Sequence, residues 1–170
     1  SRANFSDPHL IIQPEIDGPQ VVFSVDLDGD EDLDLLTASG LDDKVAWYEN
    51  TDGAGTFGPQ RAIPTAAAGV QSANGVRSVY PADLDGDGDL DVLQATDDDR
   101  IVWYENVNGT GDFGLPQVIV ALVRRPGVYA ADLDGDGDME VLSSSWDDDK
   151  VAWHENTDGA GTFGPERLIT

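Results

Sequence analysis

Three short stretches of the chain concentrate carboxylates at a spacing that suits few kinds of chemistry. DLDGDEDLD begins at Asp26, DLDGDGDLD at Asp83 and DLDGDGDME at Asp132. Like charges this close repel one another, so each stretch needs either a bound cation or full exposure to water. Alternate positions of a tight loop direct oxygen atoms into one small sphere, and calcium accepts about six to eight such oxygens. We therefore expect a cation at each stretch.

The predicted ligands are the side chains at loop positions 1, 3, 5 and 9 and the backbone carbonyl oxygen at position 7. The three sets are Asp26, Asp28, Asp30, Asp32 and Asp34; Asp83, Asp85, Asp87, Asp89 and Asp91; and Asp132, Asp134, Asp136, Asp138 and Glu140. Magnesium demands near-octahedral geometry, and transition metals favour His or Cys. The sequence thus predicts three Ca²⁺ ions, one per loop. The alternative is a solvated acidic turn, which needs one or two Asp rather than four at fixed alternation.

The three loops differ at two positions that bear on affinity. Gly88 allows the left-handed backbone conformation at position 6, where the first loop carries Glu31. A residue with a side chain costs roughly 1–2 kcal/mol in that conformation. Glu140 replaces the closing Asp and must fit one more methylene. We expect the loop at residues 83–91 to bind most tightly.

The elements that position these loops recur with them. VAWYEN, IVWYEN and VAWHEN place Trp at positions 47, 103 and 153, and an FG-containing element follows each, with Phe at 57, 113 and 163. The Asp-rich stretch, the Trp-containing stretch and the FG-containing element recur together along the chain, which indicates one structural unit present three times. The recurrence of Trp between apolar neighbours favours packing between units, and a platform for sugar stacking is the alternative.

Within a unit the pattern is that of short strands separated by turns. In the first unit these are residues 21–25, 33–39, 44–50 and 56–63. No window has helical periodicity. Four antiparallel strands in about fifty residues, repeated, predict an all-β fold, a β-propeller made of four-stranded antiparallel blades, and a strand-rich solenoid is the alternative.

The predicted organisation is a single repeat array over residues 1–170. Its parts are an N-terminal outer strand and connector (1–18), blade 1 (19–64), a linker (65–75), blade 2 (76–122) and blade 3 (123–170). Residues 5–11 repeat the spacing of the fourth-strand element, so three full blades carry one extra outer strand. We expect that strand to join a neighbouring blade by strand addition, either in a longer chain or by self-association.

The Asp loop, the WYEN strand and the FG element resemble repeats of the FG-GAP/VCBS type, similar to the calcium-bearing blades of integrin α-subunit propellers. The resemblance extends over nearly the whole chain. It implies a propeller fold, calcium in the loops and an extracellular or cell-surface setting. Because such propellers occur in adhesins, lectins and appendages of polysaccharide-degrading enzymes, the resemblance does not supply a ligand.

Composition narrows the class of partner. With nine Lys and Arg against 34 Asp and Glu, and a formal net charge of −25, we expect no nucleic acid partner, because phosphate contacts need clustered cations. No 18-residue apolar run occurs, so we expect no membrane insertion. The absence of Cys excludes disulfides and thiolate metal sites.

Catalytic side chains do not stand out from the repeat. His154 occupies a position held by Tyr in the other units, and His9 has no obvious partner. Arg124-Arg125 forms the only basic pair, and solvent exposure suffices to explain it. The acidic runs beginning at Asp42, Asp97 and Asp147 suit tight hairpins rather than metal sites. We expect no enzyme but a calcium-binding scaffold, with a lectin-like glycan-binding module or a non-catalytic part of a polysaccharide-active enzyme as alternatives.

Overall fold

The computed structural model describes residues 17–64, 75–121 and 126–169. Over these ranges the regular elements are β-strands, and nothing in them forms a helix with the length and apolar character that crossing a membrane requires. The extra strand predicted at residues 5–11 lies outside the described residues, together with His9, nearly all of the predicted linker and Arg124-Arg125. The all-β fold class is confirmed.

Twelve strands form three antiparallel sheets of four, each built from consecutive strands. The first sheet contains β1 (Pro19–Val25), β2 (Asp34–Ser39), β3 (Lys44–Tyr48) and β4 (Arg61–Ala62). The second contains β5 (Val76–Ala82), β6 (Asp91–Thr96), β7 (Arg100–Tyr104) and β8 (Gln117–Ala121). The third contains β9 (Pro126–Ala131), β10 (Glu140–Ser145), β11 (Lys150–His154) and β12 (Arg167–Leu168).

The sheets pack against one another in chain order. Strand β5 contacts the first sheet, β9 contacts the second, and no described strand of the first sheet contacts the third. The middle sheet is therefore covered on both sides, which explains why every residue of its strand β6 is buried. Burial in β6 therefore does not alternate along the strand, and it includes the polar residues Asp91, Gln94 and Thr96.

Two apolar clusters hold the three sheets together. The cluster between the first and second sheets includes Leu36, Val45 and Trp47 on one side and Val79 and Val92 on the other. The cluster between the second and third sheets joins another set of side chains, among them Leu93, Ile101, Trp103 and Val141. Trp47 and Trp103 are 1% and 3% exposed, so the predicted packing role of these tryptophans is confirmed.

The fourth strand is shorter than the sequence pattern predicts. In the first sheet β4 keeps only Arg61 and Ala62, and the earlier part of the predicted strand contributes a single bridge between Asn50 and Phe57. Pro59 lies between Phe57 and Arg61 and has no N–H to donate to a ladder of strand hydrogen bonds. The sheet edge is thus interrupted at the FG element.

The acidic runs form the hairpins that the sequence predicts. β2 pairs with β3 up to Ser39 and Lys44, so Asp42 and Asp43 lie in the turn. Asp43 has a φ of 55°, and Asp99 has a φ of 65° at the equivalent turn. Asp tolerates this left-handed conformation better than most residues, which accounts for its place there.

Candidate metal centres

Each Asp-rich loop connects the first strand of a sheet to the second, and its first residue organises the turn. The carboxylate of Asp26 accepts hydrogen bonds from the backbone N–H groups of Gly29 (2.8 Å) and Glu31 (3.1 Å). Asp83 does the same with Gly86 (2.8 Å) and Gly88 (3.1 Å). These bonds fold the loop back so that its alternate side chains converge.

The residue at position 9 fixes the loop to the rest of its sheet. Asp34 accepts from the N–H of Leu27 (3.1 Å) through Oδ2 and from the N–H of Asn50 (2.8 Å) through Oδ1. Asp91 accepts from the N–H groups of Leu84 (3.0 Å) and Asn106 (2.9 Å). Both carboxylates are buried, so their place at the base of the loop is determined by the core.

Three of the predicted ligands come together in each loop. In each group the carboxylate oxygens, one from each residue, lie within 4.8 Å of one another. The groups are Asp26, Asp28 and Asp34; Asp83, Asp85 and Asp91; and Asp132, Asp134 and Asp136. This spacing allows one cation to contact all three carboxylates of a group.

The side chains at position 5 of the first two loops and at position 7 of all three lie outside these groups and have other contacts. Asp30 accepts from the N–H of Asp32 at 2.9 Å, and Asp87 accepts from that of Asp89 at the same distance. The carboxylate of Asp32 lies against Gly53 of the following turn. Asp89 and Asp138 lie likewise against Gly109 and Gly159. The carboxylates at position 7 are thus directed at a glycine, which leaves the backbone carbonyl as the predicted ligand there.

The third loop departs from the other two at its closing residue. Glu140 accepts from the N–H of Leu133 (2.7 Å) through Oε2. Its Oε1 is buried and has no hydrogen-bond partner among the described residues. Among the described residues Glu140 thus accepts from one backbone amide, whereas Asp34 and Asp91 each accept from two.

Unpartnered buried oxygens provide a test of whether a cation fits. Asp28 Oδ1 is buried without a hydrogen-bond partner in the described part of the chain, as is Glu140 Oε1. A buried carboxylate oxygen left unsatisfied is costly, and a hard cation supplies the missing partner. The donors are all oxygens, the set that calcium prefers, so the residues present fit this ion.

Burial and mutual repulsion hold these carboxyl groups in the protonated form more strongly than usual. Burial, followed by the charges of Asp34, Asp30 and Glu49, raises the pKa of Asp28 to about 6. Burial raises the pKa of Asp91 to about 7, although its two backbone hydrogen bonds act in the opposite direction. A cation among the carboxylates would reverse both effects, because it favours the charged form.

The first loop has the backbone conformation that its sequence makes costly. Glu31 has a φ of 71°, whereas Gly88 occupies the same position in the second loop with a φ of 96°. The predicted left-handed conformation at Glu31 is therefore confirmed. The first loop bears a strain that the second does not.

The Asn that ends each WYEN strand has a role that was not predicted from the sequence. Asn106 Nδ2 donates to the carbonyl oxygen of Leu27 at 2.9 Å, and Asn156 Nδ2 donates to that of Leu84 at 2.9 Å. Each bond runs from one sheet to the Asp-rich loop of the sheet before it. The recurrence of Asn at the same place in every unit was the available signal.

The Glu before that Asn was also missed. Burial is the largest cause of the raised pKa of Asp28 and of Asp85, and the negative charges of Glu49 and Glu105, respectively, add to it. His154 is buried, and burial lowers its pKa. Its Nδ1 lies 3.4 Å from the carbonyl oxygen of Gly164, as suits a framework position.

Fold and loops together define an all-β repeat protein with one acidic loop per sheet. The model of the FG-GAP-like repeat matches residues 26–94 and 83–143, which together make up more than half of the chain. The chain belongs to the FG-GAP-like repeat family. No curated protein matches the sequence.

A solved structure shares the fold. It is that of a lectin from Agrocybe aegerita, described for its specific recognition of non-reducing terminal N-acetylglucosamine, with a TM-score of 0.63 and 23% sequence identity. The match covers 90% of this chain and 39% of the lectin chain. The present chain thus spans about two fifths of that neighbour's length.

Proposed function

We propose that the chain is a calcium-binding, non-catalytic repeat module whose three sheets are consecutive blades of a β-propeller. In this proposal it acts outside the cell as a rigid scaffold for adhesion or assembly. The observation that carries it is the carboxylate cluster present three times, with buried oxygens that no described residue satisfies. Calcium bound in each loop removes the repulsion and fixes the first strand of a blade to the second.

The way in which the sheets meet supports the propeller arrangement. The first strands β1, β5 and β9 contact one another in succession, whereas among the described strands β4, β8 and β12 each contact only their own sheet. Phe23 and Tyr80 stack edge to face with ring centroids 5.6 Å apart, and Tyr80 lies 4.3 Å from Tyr129. Sheets that converge at their first strands and diverge at their fourth are typical of blades around an axis.

Site-directed variants test the metal proposal. Asp28→Asn, Asp85→Asn and Asp134→Asn each remove one charged ligand from one loop, and isothermal titration should then report one calcium ion fewer, or one site weakened at least tenfold. Asp99→Asn is the matched control, because it changes the same group in a hairpin turn at a φ that Asn tolerates. Unchanged binding in all three loop variants would count against the proposal.

Glycan binding is a second candidate, favoured by a cavity between the first two sheets. This cavity has a volume of about 550 Å³ and is lined by residues that include Trp47, Arg61, Asn108, Asp112 and Phe113. Its size suits a small ligand. The guanidinium of Arg61 lies 4.7 Å from the centre of the Trp47 ring and covers it, so sugar contacts here would be polar rather than stacking.

A matched pair of variants separates this candidate from the scaffold. Arg61 pairs with Trp47 across strands, and Gln117 occupies the equivalent place beside Trp103. If the cavity binds glycans, Arg61→Ala should abolish signals on a glycan array that Gln117→Ala leaves intact. A calcium-loaded chain without any array signal would instead leave the scaffold, or a non-catalytic part of a polysaccharide-active enzyme, as the function.

A further inference from the structure

The contacts between sheets repeat along the chain, and in the described residues the first and third sheets each have one face that contacts no other sheet. The face of the first sheet directed away from the second carries Val22 and Leu33, and we call it the leading face. The face of the third sheet directed away from the second carries Leu133, Val151 and Ile169, and we call it the trailing face.

Apolar side chains of the trailing face are exposed where their equivalents are buried. Val151 is 48% exposed, whereas Val45 and Ile101, at the same position in the first two sheets, are fully buried. The same holds for Leu133 against Leu27 and Leu84, and for Ile169 against Ile63. In the first two sheets the cover is the next sheet along the chain.

The leading face also exposes apolar side chains whose equivalents pack between two sheets. Val22 is 63% exposed, but its equivalent Val79 is 1% exposed and packs in the cluster between the first and second sheets. Leu33 is 58% exposed, and its equivalent Leu90 packs against the same cluster. The leading face therefore carries the residue types that cover a trailing face elsewhere in the molecule.

The polar part of the contact is likewise unused at both ends. Asn106 and Asn156 each donate to a carbonyl oxygen in the loop of the preceding sheet. The equivalent acceptor on the trailing face is the carbonyl oxygen of Leu133, and no described residue makes that bond. The equivalent donor is Asn50, whose Nδ2 in the described part donates only within its own sheet, to the carbonyl oxygen of Leu33 at 3.2 Å.

Close backbone contacts between sheets also have equivalents on the two end faces that no described residue fills. A Cβ atom on Gly86 would lie 2.9 Å from the carbonyl oxygen of Gly159, because the turn of the third sheet closes over the loop of the second. At the equivalent Gly135 a Cβ atom would meet nothing within 4 Å of the described chain. Gly161 lies against Trp103, and its equivalent Gly55 on the first sheet has no such neighbour.

We propose that a second copy of this chain docks its leading face on the trailing face of the first, with Asn50 of the second copy bonded to Leu133. The inference rests on the proposed reading of the sheets as successive blades and names a partner for it. Two copies satisfy both faces at once when the contact closes, and six blades lie within the range of about four to eight that propellers use. Each copy carries a net charge of −25, so association requires calcium or salt to screen the repulsion.

The test is the mass in solution of the 170-residue chain in millimolar calcium, measured by light scattering after size exclusion. The wild-type chain should have twice the chain mass. Val22→Glu and Val151→Lys should each weaken the dimer at least tenfold, since each change alters both contacts of a closed pair. Val118→Lys is the matched control, because Val118 is also 48% exposed on a strand but lies on neither end face.

Mixing the two variants provides a sharper result. A one-to-one mixture of Val22→Glu and Val151→Lys can form a pair with one wild-type contact and one contact that joins Glu to Lys, so the dimer should return. A dimer that persists after removal of residues 1–12 further supports face docking over strand addition by residues 5–11, and its loss would overturn face docking.

The result is independent of the metal proposal. A folded chain that binds calcium but remains a monomer at about 100 μM overturns the docking proposal without affecting the metal proposal. A dimer that neither Val22→Glu nor Val151→Lys weakens has the same consequence. A dimer in a chain that binds no calcium overturns the metal sites and supports the docking face. Calcium titration of Val22→Glu, which leaves every loop carboxylate in place, distinguishes the two.

Discussion

Asn106 donates its side-chain amide to the carbonyl oxygen of Leu27 over 2.9 Å, across 79 residues of sequence. The N–H of the same Leu27 donates to Asp34 in the candidate metal loop. Asp34 therefore holds the peptide group between Asp26 and Leu27. The next sheet, through Asn106, holds the peptide group between Leu27 and Asp28. The candidate metal loop and the contact between sheets are thus joined through the same residue, Leu27.

Removal of the Asn106 side-chain amide should destabilise the fold more than removal of the equivalent amide of Asn50, which contacts no other described sheet. We expect Asn106→Ala to lower the free energy of unfolding by about 0.5–1.5 kcal/mol more than Asn50→Ala, because both lose the bonds within a sheet and only Asn106 loses the one between sheets. Urea unfolding in saturating calcium measures the difference, with both variants made in the Val22→Glu chain so that Asn50 has no second copy to contact. Equal losses would show that the bond to Leu27 contributes nothing.

Glycine at position 31 should strengthen the first loop. The φ of 71° at Glu31 costs roughly 1–2 kcal/mol for a residue with a side chain, so Glu31→Gly should raise both stability and calcium affinity at that loop. Gly88→Ala is the reverse control, because a Cβ there meets nothing within 4 Å and only the backbone conformation is penalised. If calcium titration shows no gain, Glu31 contributes to binding in another way.

Shortening the closing residue of the third loop should tighten its site. Asp34 and Asp91 each accept from two backbone amides, whereas Glu140 accepts from one among the described residues. Glu140→Asp should therefore bring the third loop to the affinity of the second. Terbium luminescence titration follows this site, and a weaker third site in the variant would contradict the role assigned to the extra methylene.

Without calcium, stability should fall as the pH rises from 6.5 to 8. A carboxyl group whose pKa is raised on folding stabilises the fold when protonated, and that contribution is lost as the pH rises through the folded pKa. For Asp91 that value is about 7, within the window. His154, whose pKa is lowered by burial, acts in the opposite direction below about pH 6.5, outside it.

Thermal unfolding in a chelator at several pH values measures this trend. Saturating calcium should flatten it, because bound ions keep the ligands deprotonated at every pH in the window. A melting temperature that rises with pH in the chelator would contradict the assignment of these carboxyl groups.

The loops and strands could be predicted because their causes are local. The alternation of Asp determines which side chains converge, and the contrast between Glu31 and Gly88 predicted a strained conformation that the structure contains. The hairpin at Asp42 and Asp43 likewise follows from the turn chemistry of Asp. Each of these features depends on residues within about ten positions of one another.

The contacts between sheets could not be predicted in the same way. Asn106 appears in sequence to end a strand, and its partner Leu27 becomes evident only when two sheets are packed together. The second amide that Glu140 fails to contact also depends on a three-dimensional distance rather than on residue type. The fourth strand was predicted too long because Pro59 interrupts a ladder whose other residues favour it.

The effect of calcium on the melting temperature tests the central claim most directly. Three loops saturated at ten times the dissociation constant add about 1.4 kcal/mol each by linkage. For a chain of this size that corresponds to a rise on the order of 10 °C over the same protein in a chelator. We predict this rise, and above saturation a further increase with the logarithm of free calcium whose slope corresponds to three ions per chain. A melting curve that neither the chelator nor added calcium changes would contradict it.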